Sequence, residues 1–278
     1  MLKKSTNIYA SIETVDVETA RQYLERNNGN RSVNKNRVDN YARDMQAGHW
    51  TPGSSIGFFE NGELADGQHR LLAVAQSGVP ASFVVIRNLP FESKLNHNTG
   101  MVQTACASIK MTTGSNMVHG VRVNQASSFV RTIVEIEVGV KAALLTPSEL
   151  IEKFDLISDA LLFIAPYVNS KRKGISAAAI WSAIISASYV TDKQKMSAFC
   201  EVFTGKRNAV NACESMVMRF AQLMITTSQT GYLARVEVWL KTQRCIKAFM
   251  KGQSLTKFYA NEGTVYSLRE KLGFPNEK

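Results

Sequence analysis

Asp66-Gly67-Gln68-His69-Arg70 decides how this chain is read, because it sets an acid, a glycine and three polar side chains where a strand gives way to a helix. Upstream, Ile56-Gly57-Phe58-Phe59-Glu60-Asn61-Gly62-Glu63-Leu64 places two short apolar stretches around an Asn-Gly pair, a strong local hairpin signal. Downstream, Leu71-Leu72-Ala73-Val74-Ala75 is good helix material that ends at Ser77-Gly78. The sequence predicts Asp66 as the cap of that helix. The N–H groups of its first turn and the helix dipole then face outward and favour an anion. Arg70 supplies a planar fork suited to phosphate, and His69 can donate, accept or move a proton near neutral pH. A capping Asp before Gly also occurs in turns that bind nothing. Five consecutive residues with so little to bury favour a site over a plain turn.

Working outward, Val15 to Arg26 has helical spacing with Ala20, Tyr23 and Leu24 inward, ending at Asn28-Gly29. A second helix is predicted from near Asn34 to Gln46, closed by Ala47-Gly48, after which Trp50-Thr51-Pro52-Gly53 leads into the hairpin. Phe83-Val84-Val85-Ile86 reads as a strand that Asn88-Leu89-Pro90 ends. The domain boundary is placed near residues 90–96, giving domains 1–95 and 96–278.

Gly62-x-Leu64-x-Asp66-Gly67-Gln68-His69-Arg70-x-x-Ala73, followed by Gly78 and the strand at 83–86, resembles the core of the ParB/sulfiredoxin-like superfamily, in its Asp-Gly-x-His-Arg branch. Free-serine kinases and proteins encoded beside DNA-modification and defence genes carry that variant. Asn30-Arg31-Ser32, the helix Val38 to Met45 and Gly48-His49-Trp50 are similar to a group of phage proteins with this domain. The resemblance covers roughly residues 8–95. It implies an α+β fold: a small mixed ParB/sulfiredoxin-like domain, then an all-α helical bundle.

The resemblance also implies a site. Gly67, Gln68 and Arg70 would surround the phosphates of a nucleoside di- or triphosphate, with Arg31 approaching from the other side. Asp66 would bind Mg²⁺ or orient a nucleophile, His69 would contact a phosphate or act as acid/base, and Glu63 is a further candidate general base. Sulfiredoxins need a cysteine where Gln68 and His69 stand, so sulfinic acid reduction is not expected. The Gly-Glu-Arg-Arg motif of the partition clamps is also missing. Asn98-Thr99-Gly100-Met101-Val102-Gln103, the counterpart of an Asp-x-Gly stretch followed by basic residues in the phage group, lacks the acid and the basic pair. No Walker-type phosphate loop occurs.

At 278 residues and 45% apolar content the chain can build a full core, and disorder is excluded. Residues 1–95 hold 11 Lys and Arg against 10 Asp and Glu, whereas residues 96–278 hold 22 against 13, so the second half is the expected partner of a polyanion. Cys106, Cys200, Cys213 and Cys245 form no Cys-x-x-Cys pair and have no histidine at ligand spacing, so they are expected reduced and buried, without zinc. Met1 to Asn7 lacks the apolar core of a secretory signal, and the uncharged run 174–190 is too short to span a membrane, so it reads as a buried helix. A cytoplasmic location is expected, the host cytoplasm if the protein is phage-encoded.

Beyond residue 96 no strand pattern stands out. Helices are expected at 113–138, 146–168 with a break at Pro166, 175–189, 192–203, 209–226, 231–251 and 255–272. Thr146-Pro147-Ser148-Glu149 has the form of a capping box. Lys171-Arg172-Lys173 and Lys206-Arg207 lie in loops between helices and read either as phosphate contacts or as solvated turns. Lys241, Arg244, Lys247 and Lys251 share one face of a helix, a stripe that either follows a nucleic-acid backbone or is that helix's wet side. His49-Trp50 is expected to pack at the end of the second helix, and His97 and His119 lack a partner at useful spacing.

These readings meet in a nucleotide-binding phage-type protein that hydrolyses NTP or transfers phosphoryl while working with DNA or another nucleic acid. The alternatives are a non-enzymatic DNA-binding or regulatory protein of the same fold, and a phage factor that binds a host defence protein.

Overall fold

The structure, a computed structural model, describes residues 7–28, 30, 32–91, 104–140, 143–168, 174–227, 230–260 and 263–275. The chain divides into two compact units, Met1–Gln103 and Thr104–Lys278. The division comes later than residue 95, at the end of a stretch, 92–103, outside the described residues.

The first unit runs β1 (Tyr9–Val15), α1 (Val17–Leu24), α2 (Lys35–Gln46), β2 (Ser55–Phe59), β3 (Leu64–Asp66), α3 (Gln68–Ser77) and β4 (Ala81–Leu89). The sheet order is β1-β4-β2-β3. β1 and β4 are antiparallel, with Tyr9 opposite Arg87 and Val15 opposite Ala81. β2 and β4 are parallel. Parallel neighbours need a crossover, and α3 supplies it. The hairpin turns at Asn61-Gly62, with Gly62 at φ +81, and the Phe59 amide donates to the Glu63 carbonyl at 2.8 Å. Val15, Ile56, Phe58, Leu71, Val74, Phe83 and Val85 form one buried core with the inward faces of α1 and α2.

One local expectation is corrected here. Val15 does not open a helix but ends β1, and Asp16 caps α1 by accepting from the Thr19 amide at 2.8 Å. Asn34 caps α2, accepting from the Arg37 amide at 3.1 Å.

The second unit contains α4 (Ala105–Thr113), a ribbon of β5 (Met117–Val118) and β6 (Val121–Arg122), α5 (Val123–Glu137), α6 (Pro147–Leu156), α7 (Ser158–Val168), α8 (Ala178–Ser188), α9 (Lys193–Thr204), α10 (Ala212–Thr226) and α11 (Tyr232–Met250). α8 is the uncharged run; every residue from Ala179 to Ala187 is buried, and Trp181 donates to the Ile175 carbonyl at 2.8 Å. The Thr146 capping box is present.

Three further expectations give way. The unit is not all-α: the helix expected at 113–138 begins only at Val123, its first part being the ribbon, whose turn places His119 at φ +44 and Gly120 at φ +77, the paired positive values that suit a tight hairpin. The break in 146–168 falls at Ile157, and Pro166 sits inside α7, in its last turn. The described part of 255–272 contains no helix. Its order comes from side chains: Gln243 Oε1 accepts from the Val265 amide at 2.7 Å and Nε2 donates to the Tyr266 carbonyl at 2.7 Å. The Glu137 carboxylate accepts from the Ser267 hydroxyl at 2.7 Å and the Leu268 amide at 3.0 Å.

Candidate functional site

β3 and α3 bring the five motif residues to one corner of the first unit, with Gly67 as the pivot. Its φ is +112, and a Cβ there would lie 3.1 Å from Ile56 Cγ1 and 3.4 Å from Ile56 Cα. Only glycine meets both conditions. Gly67 itself takes the N-cap position, so Asp66 does not cap α3 as expected; no side chain does. Its carboxylate instead meets Arg70, four residues on, at 2.8 Å. The other arm of that guanidinium donates to the Ser55 carbonyl.

Gln68 and His69 face inward. Gln68 is 6% exposed and accepts from Asn27 Nδ2 at 2.8 Å. Asn30 donates to the Asn27 side chain and to the Leu64 carbonyl at 2.8 Å. His69, 8% exposed, accepts the Asn34 backbone N–H on Nε2 at 2.9 Å. A nitrogen that accepts carries no proton, so the ring is neutral with its proton on Nδ1. These two motif residues therefore tie Asn27 and Asn34 to the start of α3. The geometry gives His69 an anchoring role where the sequence suggested acid/base chemistry.

Glu63 is not brought to the same place. It precedes β3 and Asp66 ends it, so the two backbones are separated by about 10 Å along the strand. Arg31 lies outside the described residues, as do His97 and the segment Asn98 to Gln103. Trp50 packs against Tyr41 and Phe83, with ring centroids 5.3 and 5.8 Å away, in keeping with the packing reading.

Asp66 alone, held by Arg70, does not make a resident Mg²⁺ site: Mg²⁺ asks for several oxygens. Among the described residues no three His, Cys, Asp or Glu side chains are grouped to hold a metal.

The sequence reading missed a second polar cluster. Ser11 and Glu13 alternate with Val15 on the inward face of β1, and Arg87 lies on β4 with Tyr23 of α1 above it. Arg87 donates to both Glu13 oxygens, Nη2 at 3.0 Å, while Tyr23 donates to Glu13 at 2.8 Å and Ser11 at 2.5 Å. Arg87 holds the Glu13 carboxyl down at about 2, aided by the two hydroxyls and opposed by burial. Burial and the neighbouring Glu13 push the Tyr23 phenol up. The period-two spacing of 11, 13 and 15 was the available signal, but nothing local names a partner on β4.

In the second unit, Lys171, Arg172 and Lys173 lie outside the described residues. Arg207 is filled by Glu201 at 3.2 Å and Glu214 at 2.9 Å, and Lys206 donates to the Pro166 carbonyl at 2.6 Å beside the Tyr167 ring. That loop is a brace, and its phosphate reading loses its fork. The α11 stripe is no open wet face either: Lys241 pairs with Glu237 at 2.6 Å, Arg244 lies 5.8 Å from the Tyr259 ring centroid, and only Lys251 is exposed. Cys200 and Cys245 are buried, which pushes both thiols up, whereas Cys106 and Cys213 are partly exposed. Among the described residues no helix is long and apolar enough to cross a membrane. No family model matches this chain, and no curated protein matches it.

Proposed function

We propose that the first unit is a ParB/sulfiredoxin-like module that takes the phosphates of a nucleotide at the start of α3, and that the second unit holds a nucleic acid, as in a phage-type nucleotide-binding protein. Binding, not turnover, is the part the geometry favours. The observation that carries it is the Asp66–Arg70 pair: a guanidinium with a 20% exposed side chain, held by one carboxylate contact on one arm and the Ser55 carbonyl on the other, in the first turn of a helix that no side chain caps. A phosphate brings more charge than Asp66 and meets both the arm of Arg70 that Asp66 now holds and the positive end of the helix. It therefore replaces Asp66 as the partner of Arg70.

Calorimetric titration with ATP, ADP, CTP and GTP, each with Mg²⁺, tests this. At least one should bind the wild type, and Arg70→Ala should weaken it about tenfold or more. Asp66→Asn removes the competing carboxylate and should leave binding unchanged or tighter. If the folded wild type binds none of the four, the module is not a nucleotide site. The second reading, a non-enzymatic nucleic-acid-binding protein, then takes its place. It is favoured by the anchoring contacts of Gln68 and His69.

A further inference from the structure

Four lysines from three separate segments meet at one end of the helical unit. Lys193 and Lys195 open α9, and Lys195 Nζ reaches the Met250 carbonyl at 3.4 Å, next to Lys251 at the end of α11. Lys271 Nζ lies 4.5 Å from the centroid of the Tyr189 ring. All four are exposed, and none is ion-paired to a carboxylate among the described residues. They are separated in sequence, so no basic run marks them.

A cleft of about 210 Å³ opens beside them, lined by Asp159, Ala160, Phe163, Ser188, Tyr189 and Lys193. Two aromatic rings, one carboxylate, one ammonium and two hydroxyls make a lining suited to a flat, polar-edged molecule. The Tyr189 hydroxyl is buried and makes no hydrogen bond of ordinary geometry, with the Ala160 amide beside it. Asp159 lines the cleft, Glu270 is the sequence neighbour of Lys271, and Asp192 is spent on the Lys195 amide at 2.8 Å. Asp159 remains in the cleft, where it repels phosphate but accepts from an exocyclic amine.

We propose that this end of the second unit binds single-stranded nucleic acid, one base entering the cleft between Phe163 and Tyr189 while Lys193, Lys195 and Lys251 contact the phosphates. A duplex keeps its bases stacked and cannot fill the cleft; an unpaired strand can splay one out onto an aromatic side chain. Asp159 favours a base with an amino group, cytosine, adenine or guanine, over thymine. The assignment rests on the nucleic-acid part of the proposed function and gives it a place.

Fluorescence anisotropy with labelled oligo-dC, oligo-dT and a duplex of equal length tests the assignment, on wild type, a Lys193→Glu/Lys195→Glu/Lys251→Glu variant and Asp159→Asn. All four substituted positions are exposed, and melting curves check that each variant folds. Expected are tighter binding of oligo-dC than of oligo-dT or duplex, and a loss of about a hundredfold or more with a shallower salt dependence in the triple variant. Asp159→Asn should erase the dC preference. Wild-type binding that the triple variant retains in full would overturn the placement and leave the broader nucleic-acid reading standing. Failure of the wild type to bind any of the three would overturn both. Equal affinity for duplex and single strand would overturn the inserted base.

Discussion

Glu13–Arg87 and Asp66–Arg70 are both carboxylate–guanidinium pairs of the first unit, yet they are built in opposite ways. Glu13 joins two strands across 74 residues and also receives the Ser11 and Tyr23 hydroxyls. Asp66 meets a residue four positions away through one contact, beside an uncapped helix start. The first is a strut whose acceptors are used by the fold. The second is the pair that we propose a phosphate opens. The hidden cluster thus ties β1 to β4 through several partners, while the conspicuous motif carries a pair with a single carboxylate contact.

The harshest way to break that contrast is Gly67→Ala. Positive φ and the close approach of Ile56 should cost about 3 kcal/mol, read as a fall in the denaturation midpoint. An unchanged midpoint would mean that the Asp66–Arg70 geometry does not depend on this pivot. His69→Ala should cost about 2 kcal/mol through a lost acceptor and lost packing. A catalytic His69 would instead keep its melting temperature and lose turnover.

Glu13→Gln sharpens the contrast by pH. The folded carboxyl is lowered from its usual 4.5 to about 2, so its stabilisation is present above pH 5 and fades as pH falls toward 2. At neutral pH the variant should be about 1 kcal/mol less stable, since both side chains are about a quarter exposed. The gap should close on acidification, and a gap independent of pH would count against the ion pair as its source. Lys251→Ala should stay within about 0.5 kcal/mol of wild type, while weakening nucleic-acid binding.

What could be read from residues alone was local. Asn34 and Thr146 cap because their partners lie three positions on, and Asn61-Gly62 turns because positive φ suits it. β1 escaped because its partner, β4, lies some 70 residues away and its pattern is inverted, with polar Ser11 and Glu13 facing inward and apolar Ile12 facing outward. The tail 255–272 imitated a helix because Leu255, Phe258, Tyr266, Leu268 and Leu272 space themselves to cover a core, and burial does not require a regular backbone. At the site, the sequence marks the five residues, but which of them face inward is not legible there, and the positive φ of Gly67 is announced by no side-chain pattern.

The fastening of that tail has a consequence for hydrogen exchange. The amides of Val265, Tyr266 and Leu268 donate to Gln243 and Glu137, not to a neighbouring backbone. They should exchange slowly without belonging to any regular element, and their protection should vanish together with a single side chain, Gln243 or Glu137, that lies far away in sequence. Order in the last part of this protein is thus lent by residues that fold with the helices.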